Sequence, residues 1–242
     1  MENIMTNTNT ITAAQVKEMF EMQDTMNRKV SPDWKDKGWD WELAAQMELM
    51  EGVEHYGYKW WKKQTPDLPQ VQLEVVDAFH FWLSASMISE DTMYGHIADS
   101  INRLMYTGEP AWEEGTRKYV FFGIAQNYEH FITKGMQWAD LLMSVNLTPA
   151  SLYEMYVQKN VLNHFRQDHG YKTGEYVKMW KGEEDNVWLL RLSEQLKKED
   201  NFSRSSLYEA LADKHMLGAY TTFVIQQLIP NHIGLSLVES ES

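Results

Sequence analysis

Val16, Met19, Phe20 and Met26 recur at intervals that stack side chains along one face of an α-helix. The same helical period runs through Leu43, Met47 and Met50, through Val75, Val76, Phe79 and Trp82, and through Val157, Val161 and Phe165. It predicts helices over residues 13–28, 41–56, 70–90, 92–106, 114–144, 150–168, 187–198 and 203–228. The six prolines, Pro32, Pro66, Pro69, Pro110, Pro149 and Pro230, fall where the period breaks. A proline costs about 3 kcal/mol inside a helix, so these positions read as boundaries. Thr148-Pro149 followed by Glu154 has the form of a helix start. Alternating strand patterns are scarce. Gly170, Gly174 and Gly182 make 168–186 a loop, and 229–242 reads as a mobile tail. The predicted fold is all-α, a helical bundle.

Composition narrows the function. The 242 residues suit one large domain, or one domain with a helical extension. The expected division is a catalytic domain over 1–200, with 201–242 a helical extension and tail packed on it. With no cysteine, disulfides, thiolate metal sites and cysteine nucleophiles are excluded. A net charge of -13 argues against nucleic acid as the main partner. No apolar run approaches the roughly 18–20 residues of a membrane span, and Met1–Thr12 lacks the order of a signal peptide. The expectation is a cytoplasmic protein with no membrane partner. The 10 Trp and 15 Met would suit an adaptable surface for a protein partner.

The acidic excess raises the question of a metal. Glu48 and Glu51 sit three apart on the flank of the 41–56 stripe, with Glu54 near its centre. Glu74 and Asp77 repeat the spacing 23 residues later. Such pairs are ordinarily solvated faces. Two of them on antiparallel helices would make an oxygen-only site, which selects Mg²⁺, with Mn²⁺ as a substitute. Two ions would suit in-line displacement at phosphorus. Gln23 and Asn27 project onto the apolar stripe of 13–28. They read either as inter-helix hydrogen bonding or as recognition of a pyrimidine edge. Lys159, Asn163 and Arg166 line one side of 150–168, and Tyr171, Lys178, Asp185 and Asn186 follow in the loop. That row is either a solvated face or a set of phosphate ligands.

These segments, in this order, resemble the dimeric all-α dUTPase family, a branch of the all-α nucleoside triphosphate pyrophosphohydrolases. Gln23 to Asn27 is similar to the family's Q-x-x-L-N, with Met26 for Leu. Glu48 to Glu51 runs on to Tyr58-Lys59-Trp60-Trp61-Lys62, similar to E-x-x-E followed by W-x-W-W-K, with Tyr58 for the first Trp. Glu74 to Asp77 with His80-Phe81 resembles E-x-x-D-x-x-H-F. The stretch KNVLNHFRQDHGYKTGEYVKMWKGEEDN, Lys159 to Asn186, resembles the family's C-terminal signature. The ordered set spans about residues 19–190.

The resemblance implies Mg²⁺-dependent hydrolysis of dUTP, and of dUDP, to dUMP, limiting uracil in DNA. Glu48, Glu51, Glu74 and Asp77 would be catalytic and hold two or three ions. Lys159, Arg166, Tyr171 and Lys178 would hold phosphates. Gln23, Asn27, Trp61, Asn163 and Asn186 would surround the nucleoside. A metal-bound water would attack, oriented by Glu51 or by Glu48, at the β-phosphorus. His80 is expected to support the site from the core rather than to react. The family is a homodimer with shared sites and with rigid and mobile helical parts. A dCTPase, or a dual dCTP/dUTP enzyme, satisfies the same motifs. So does a nucleotide-sensing or partner-binding protein on the scaffold.

Overall fold

The computed structural model describes residues 9–89, 93–107, 114–127 and 138–228. Side-chain caps set where its helices begin. Before α1 (Ala13–Val30), Thr12 Oγ1 accepts from the Gln15 N–H at 3.2 Å, and Gln15 Oε1 accepts from the Thr12 N–H at 2.9 Å. This reciprocal cap satisfies donors that the helix leaves open, typically for about 1 kcal/mol. Asp40 and Asp67 cap α2 (Trp41–Tyr56) and α3 (Leu68–Ile88), and Pro69 occupies the first turn of α3, where its missing N–H is no loss. Helix α2 stops at Gly57, whose φ of 80° a side chain would resist. The chain then reverses. Helices α2 and α3 pack along their lengths in antiparallel register, so that His55 and Gly52 lie beside Glu74 while Glu48 approaches Asp77.

Among the described residues the remaining helices are α4 (Tyr94–Thr107), α5 (Glu114–Gln126), α6 (Trp138–Ser144), α7 (Pro149–Asp168), α8 (Asp185–Lys198) and α9 (Arg204–Leu228). Contacts divide the chain into two units, Met1–His164 and Phe165–Ser242, with the boundary inside α7. The first unit has its core among α1, α2, α3, α4, α5, α6 and α7. There Phe79 meets the Trp138 ring edge-on at 4.7 Å and stacks on Trp82 at 5.3 Å. In the second unit, α9 packs on α8 and on a short hairpin.

Several expectations need revision. The 41–56 stripe is the exposed side of α2: Leu43 and Met47 are each 52% exposed and Met50 38%. The buried side carries Ala45, Leu49, Gly52, Val53 and Tyr56. Two apolar faces compete on this helix, and the face with the small residues is the one that packs closely. The 114–144 helix is not continuous. Helix α5 closes at Asn127, whose N–H turns back to Ile124 O, and α6 begins at Trp138. Residues 128–137 lie outside the described residues, as does the 229–242 tail. The 168–186 loop contains a hairpin, β1 (Met179–Trp180) with β2 (Glu183–Glu184), paired Trp180 to Glu183. Its turn residues Lys181 and Gly182 both have positive φ, 52° and 83°, as a tight two-residue hairpin requires. Among the described residues no helix is long and apolar enough to cross a membrane.

Candidate active site

The α2–α3 register brings three carboxylates together. Oxygens of Glu48, Glu74 and Asp77 all lie within 4.8 Å of one another. The cluster is not a wet surface, because Glu74 is only 5% exposed. Gly52 explains why. A β-carbon there would lie 2.8 Å from Phe121 Cζ and 3.5 Å from Glu74 Cβ. Glycine therefore lets the Phe121 ring of α5 close against α2 beside Glu74. Burial first, and the Asp77 charge second, raise Glu48 and Glu74 above the ordinary carboxylate range. Glu48 and Glu74 also share a hydrogen bond.

A lysine enters the group. Lys159 of α7, 1% exposed, places Nζ 2.8 Å from Asp77 Oδ2. Its charge opposes the rise at both glutamates. Glu51, one turn along α2, is exposed and outside the group of three, though its charge acts on both Glu48 and Glu74. Three mutually close oxygens from three carboxylates match the donor set of a hard divalent ion, so these residues can hold one.

Gln23 and Asn27 are buried in a network that joins α1, α3 and α7. Gln23 Nε2 donates to Asn27 Oδ1 at 2.9 Å and to Ser84 Oγ at 3.2 Å. Asn27 Nδ2 donates to Ser84 Oγ at 2.9 Å. Gln23 Oε1 faces His80 Nδ1 at 2.7 Å and the Tyr156 hydroxyl at 3.1 Å. His80 stacks on the Tyr156 ring at 4.1 Å. Burial depresses its pKa to about 4, so the ring is neutral. The amides are thus engaged with the protein.

The other predicted residues lie elsewhere. Trp61 is exposed, edge-on to Tyr58 and Trp60. Asn163 is half-buried in the first unit. Arg166, Tyr171, Lys178 and Asn186 belong to the second unit. Arg166 donates twice to the fully buried Asp185, at 2.8 Å each, and to Asn186 Oδ1 at 3.3 Å. Exposed Tyr171 has the Arg166 guanidinium and the Lys178 ammonium over its ring, at 5.8 and 5.6 Å.

Three neighbours escape the sequence reading. His55 Nε2 lies 3.7 Å from Glu74 Oε1. Its spacing of four from Glu51 was the available signal. Ser84, four residues after His80, was legible in the same way. Tyr156 is apolar in pattern, and nothing in the sequence marks its hydroxyl.

Two comparisons with known proteins bear on this geometry. A search of curated proteins returns no match. A family model described as dUTPase matches residues 15–171. That span takes in most of α1, both carboxylate pairs and Lys159, and covers well over half of the chain. The chain belongs to the all-α dUTPase family, and it is a hydrolase of the dUTP diphosphatase type.

Proposed function

We propose that this enzyme hydrolyses dUTP, and also dUDP, to dUMP in a Mg²⁺-dependent reaction, keeping uracil out of DNA and supplying dUMP. The observation that carries the metal dependence is the oxygen-only group of buried Glu74 with half-buried Glu48 and Asp77. Two or three Mg²⁺ ions, with Mn²⁺ as a substitute, would supply Lewis acidity and a water of lowered pKa. The protein's own part is positioning and charge. Glu48, Glu74 and Asp77 hold the cations where an anionic substrate must come. Glu51, exposed beside them, orients the attacking water and takes its proton. Attack at the β-phosphorus breaks the bond from that phosphorus to the bridging oxygen. The oxygen leaves with dUMP, and pyrophosphate or phosphate is the other product. This accounts for the use of a diphosphate.

Lys159 is assigned to the phosphates once it leaves Asp77. Phosphate roles for Arg166, Tyr171 and Lys178 rest on the sequence motif and on the two cations flanking the Tyr171 ring. Nucleoside contacts are assigned to Gln23, Asn27, Trp61, Asn163 and Asn186 on their motifs. A homodimer with shared sites is the proposed assembly, supported by the exposed stripe of Leu43, Met47 and Met50.

The deciding experiment is a panel of deoxynucleoside di- and triphosphates with and without Mg²⁺, run on wild type, Glu74→Ala and Asp77→Ala. The expected result is Mg²⁺-dependent turnover of dUTP and dUDP, lost in both variants while their circular dichroism persists. Faster turnover of dCTP than of dUTP, or full activity in both variants, overturns the proposal.

A further inference from the structure

Ser84 sits at the centre of the buried amide network, fully enclosed in α3. Its hydroxyl touches three polar groups: His80 O at 3.1 Å, Asn27 Nδ2 at 2.9 Å and Gln23 Nε2 at 3.2 Å. The hydroxyl has one proton. A backbone carbonyl can only accept, so that proton goes to His80 O. The Ser84 oxygen is then left to accept, and both amides must turn their NH₂ groups toward it.

The rest of the network follows from that constraint. Gln23 Nε2 uses its second hydrogen on Asn27 Oδ1. Gln23 Oε1 must accept from His80 Nδ1, which therefore carries the ring proton. The bare nitrogen is Nε2, buried and without a hydrogen-bond partner among the described residues. The Tyr156 hydroxyl pulls the other way, since its single proton is shared between Met19 O at 2.9 Å and Gln23 Oε1 at 3.1 Å. Reversing both amides is nevertheless worse. It would set three acceptor oxygens around the one Ser84 proton. Reversing Gln23 alone would face its oxygen with that of Asn27.

We infer that Ser84 is a positioning residue for base selection, because its hydroxyl fixes which way the Gln23 and Asn27 amides present donor and acceptor. In this arrangement both hydrogens and one lone pair of the Gln23 amide are used inside the protein, and its other lone pair shares the Tyr156 proton with Met19 O. Asn27 keeps one N–H and one oxygen lone pair beyond these bonds. Gln23 therefore orients Asn27 from beside the nucleoside, and Asn27 is the amide with a donor and an acceptor left for the base edge. Uracil and cytosine differ in donor and acceptor at two adjacent ring positions. An amide held one way distinguishes them, and an amide free to reverse serves both. The inference rests on the nucleoside role proposed for these residues.

The test has two arms on the full-length protein. Long-range proton–nitrogen NMR of the histidines reads the His80 tautomer without any substrate. Wild type is expected to show a protonated Nδ1 and a bare Nε2, and Ser84→Ala a mixture of tautomers. The second arm measures kcat/KM for dUTP and for dCTP. Their ratio is expected to fall by about tenfold in Ser84→Ala, the scale of one oriented hydrogen bond, and to return toward the wild-type value in Ser84→Thr, which restores the hydroxyl. A wild-type His80 protonated on Nε2 overturns the inference, even if Ser84→Ala does not fold. So does an unchanged ratio in a folded Ser84→Ala. If wild type turns over neither nucleotide, the proposed function fails, while the tautomer arm still decides the network.

Discussion

Lys159 Nζ and Asp77 Oδ2 lie 2.8 Å apart, and the lysine is buried among carboxylates rather than turned to solvent. Its ammonium engages an oxygen that the proposed divalent ion would use, since Asp77 also belongs to the group of three. A unit charge about 4 Å away is worth about 4 kcal/mol at an effective dielectric constant near 20. Lysine and metal therefore compete for Asp77. In Lys159→Met, affinity for Mn²⁺ in the absence of nucleotide should rise by about tenfold, and kcat/KM should fall by about a hundredfold or more. Titration calorimetry and steady-state kinetics check the two halves. Weaker Mn²⁺ binding would mean that Lys159 chiefly holds Asp77 in place.

The raised carboxylates make metal binding a proton-releasing event. Glu48 and Glu74 are held up to about 7 and about 8, above the ordinary 4.5, by burial and by Asp77. A carboxyl raised in the folded state binds more protons folded than unfolded. Its stabilising contribution is complete below 4.5 and is lost as pH climbs through the folded values. The metal-free protein should therefore lose Tm between about pH 5 and about pH 8, and Mg²⁺ should restore it. Calorimetry in buffers of different ionisation heat should show protons released on binding near neutral pH. A binding heat independent of buffer would contradict the shifts.

Gly52 is a packing residue of the site. The missing β-carbon leaves room for Phe121 Cζ, which would otherwise be 2.8 Å away. Phe121 is fully buried and has little room to retreat. Gly52→Ala should cost about 1–3 kcal/mol by overpacking. It should also weaken metal binding, because the ring borders Glu74. Urea unfolding and Mn²⁺ titration test both, and a neutral substitution would show that α5 yields easily.

The Arg166–Asp185 pair supports the second unit. Asp185 is fully buried and accepts two bonds from Arg166 and one from the Tyr176 hydroxyl at 2.8 Å. Asp185→Ala would take the bidentate carboxylate from a guanidinium with little access to water, a loss of about 3–5 kcal/mol for a broken buried pair. Hydrogen exchange should show the hairpin and α8 losing protection. Unchanged exchange there would argue that Arg166 finds another acceptor.

The exposed stripe on α2 tests the proposed assembly. Met47→Glu places a charge between Leu43 and Met50, and sedimentation velocity should show it shifting the protein toward monomer. An unchanged sedimentation coefficient would move the interface elsewhere.

Helix positions were legible along the chain because capping and proline placement act locally. Thr12, Asp40 and Asp67 mark helix starts within a few residues of where the apolar period begins. The carboxylate pairs were legible too, since a spacing of three puts both members on one side of a helix. Which apolar face of α2 packs inward was not. Leu43, Met47 and Met50 match the period as well as Leu49, Gly52 and Val53 do, and that choice turns on how closely α3 and α5 can approach. Nor could spacing bring Lys159 to Asp77, or decide which way the Gln23 amide turns. Both depend on groups far apart in the chain meeting in a buried space. There a charge needs a partner, and a hydroxyl has one proton to give.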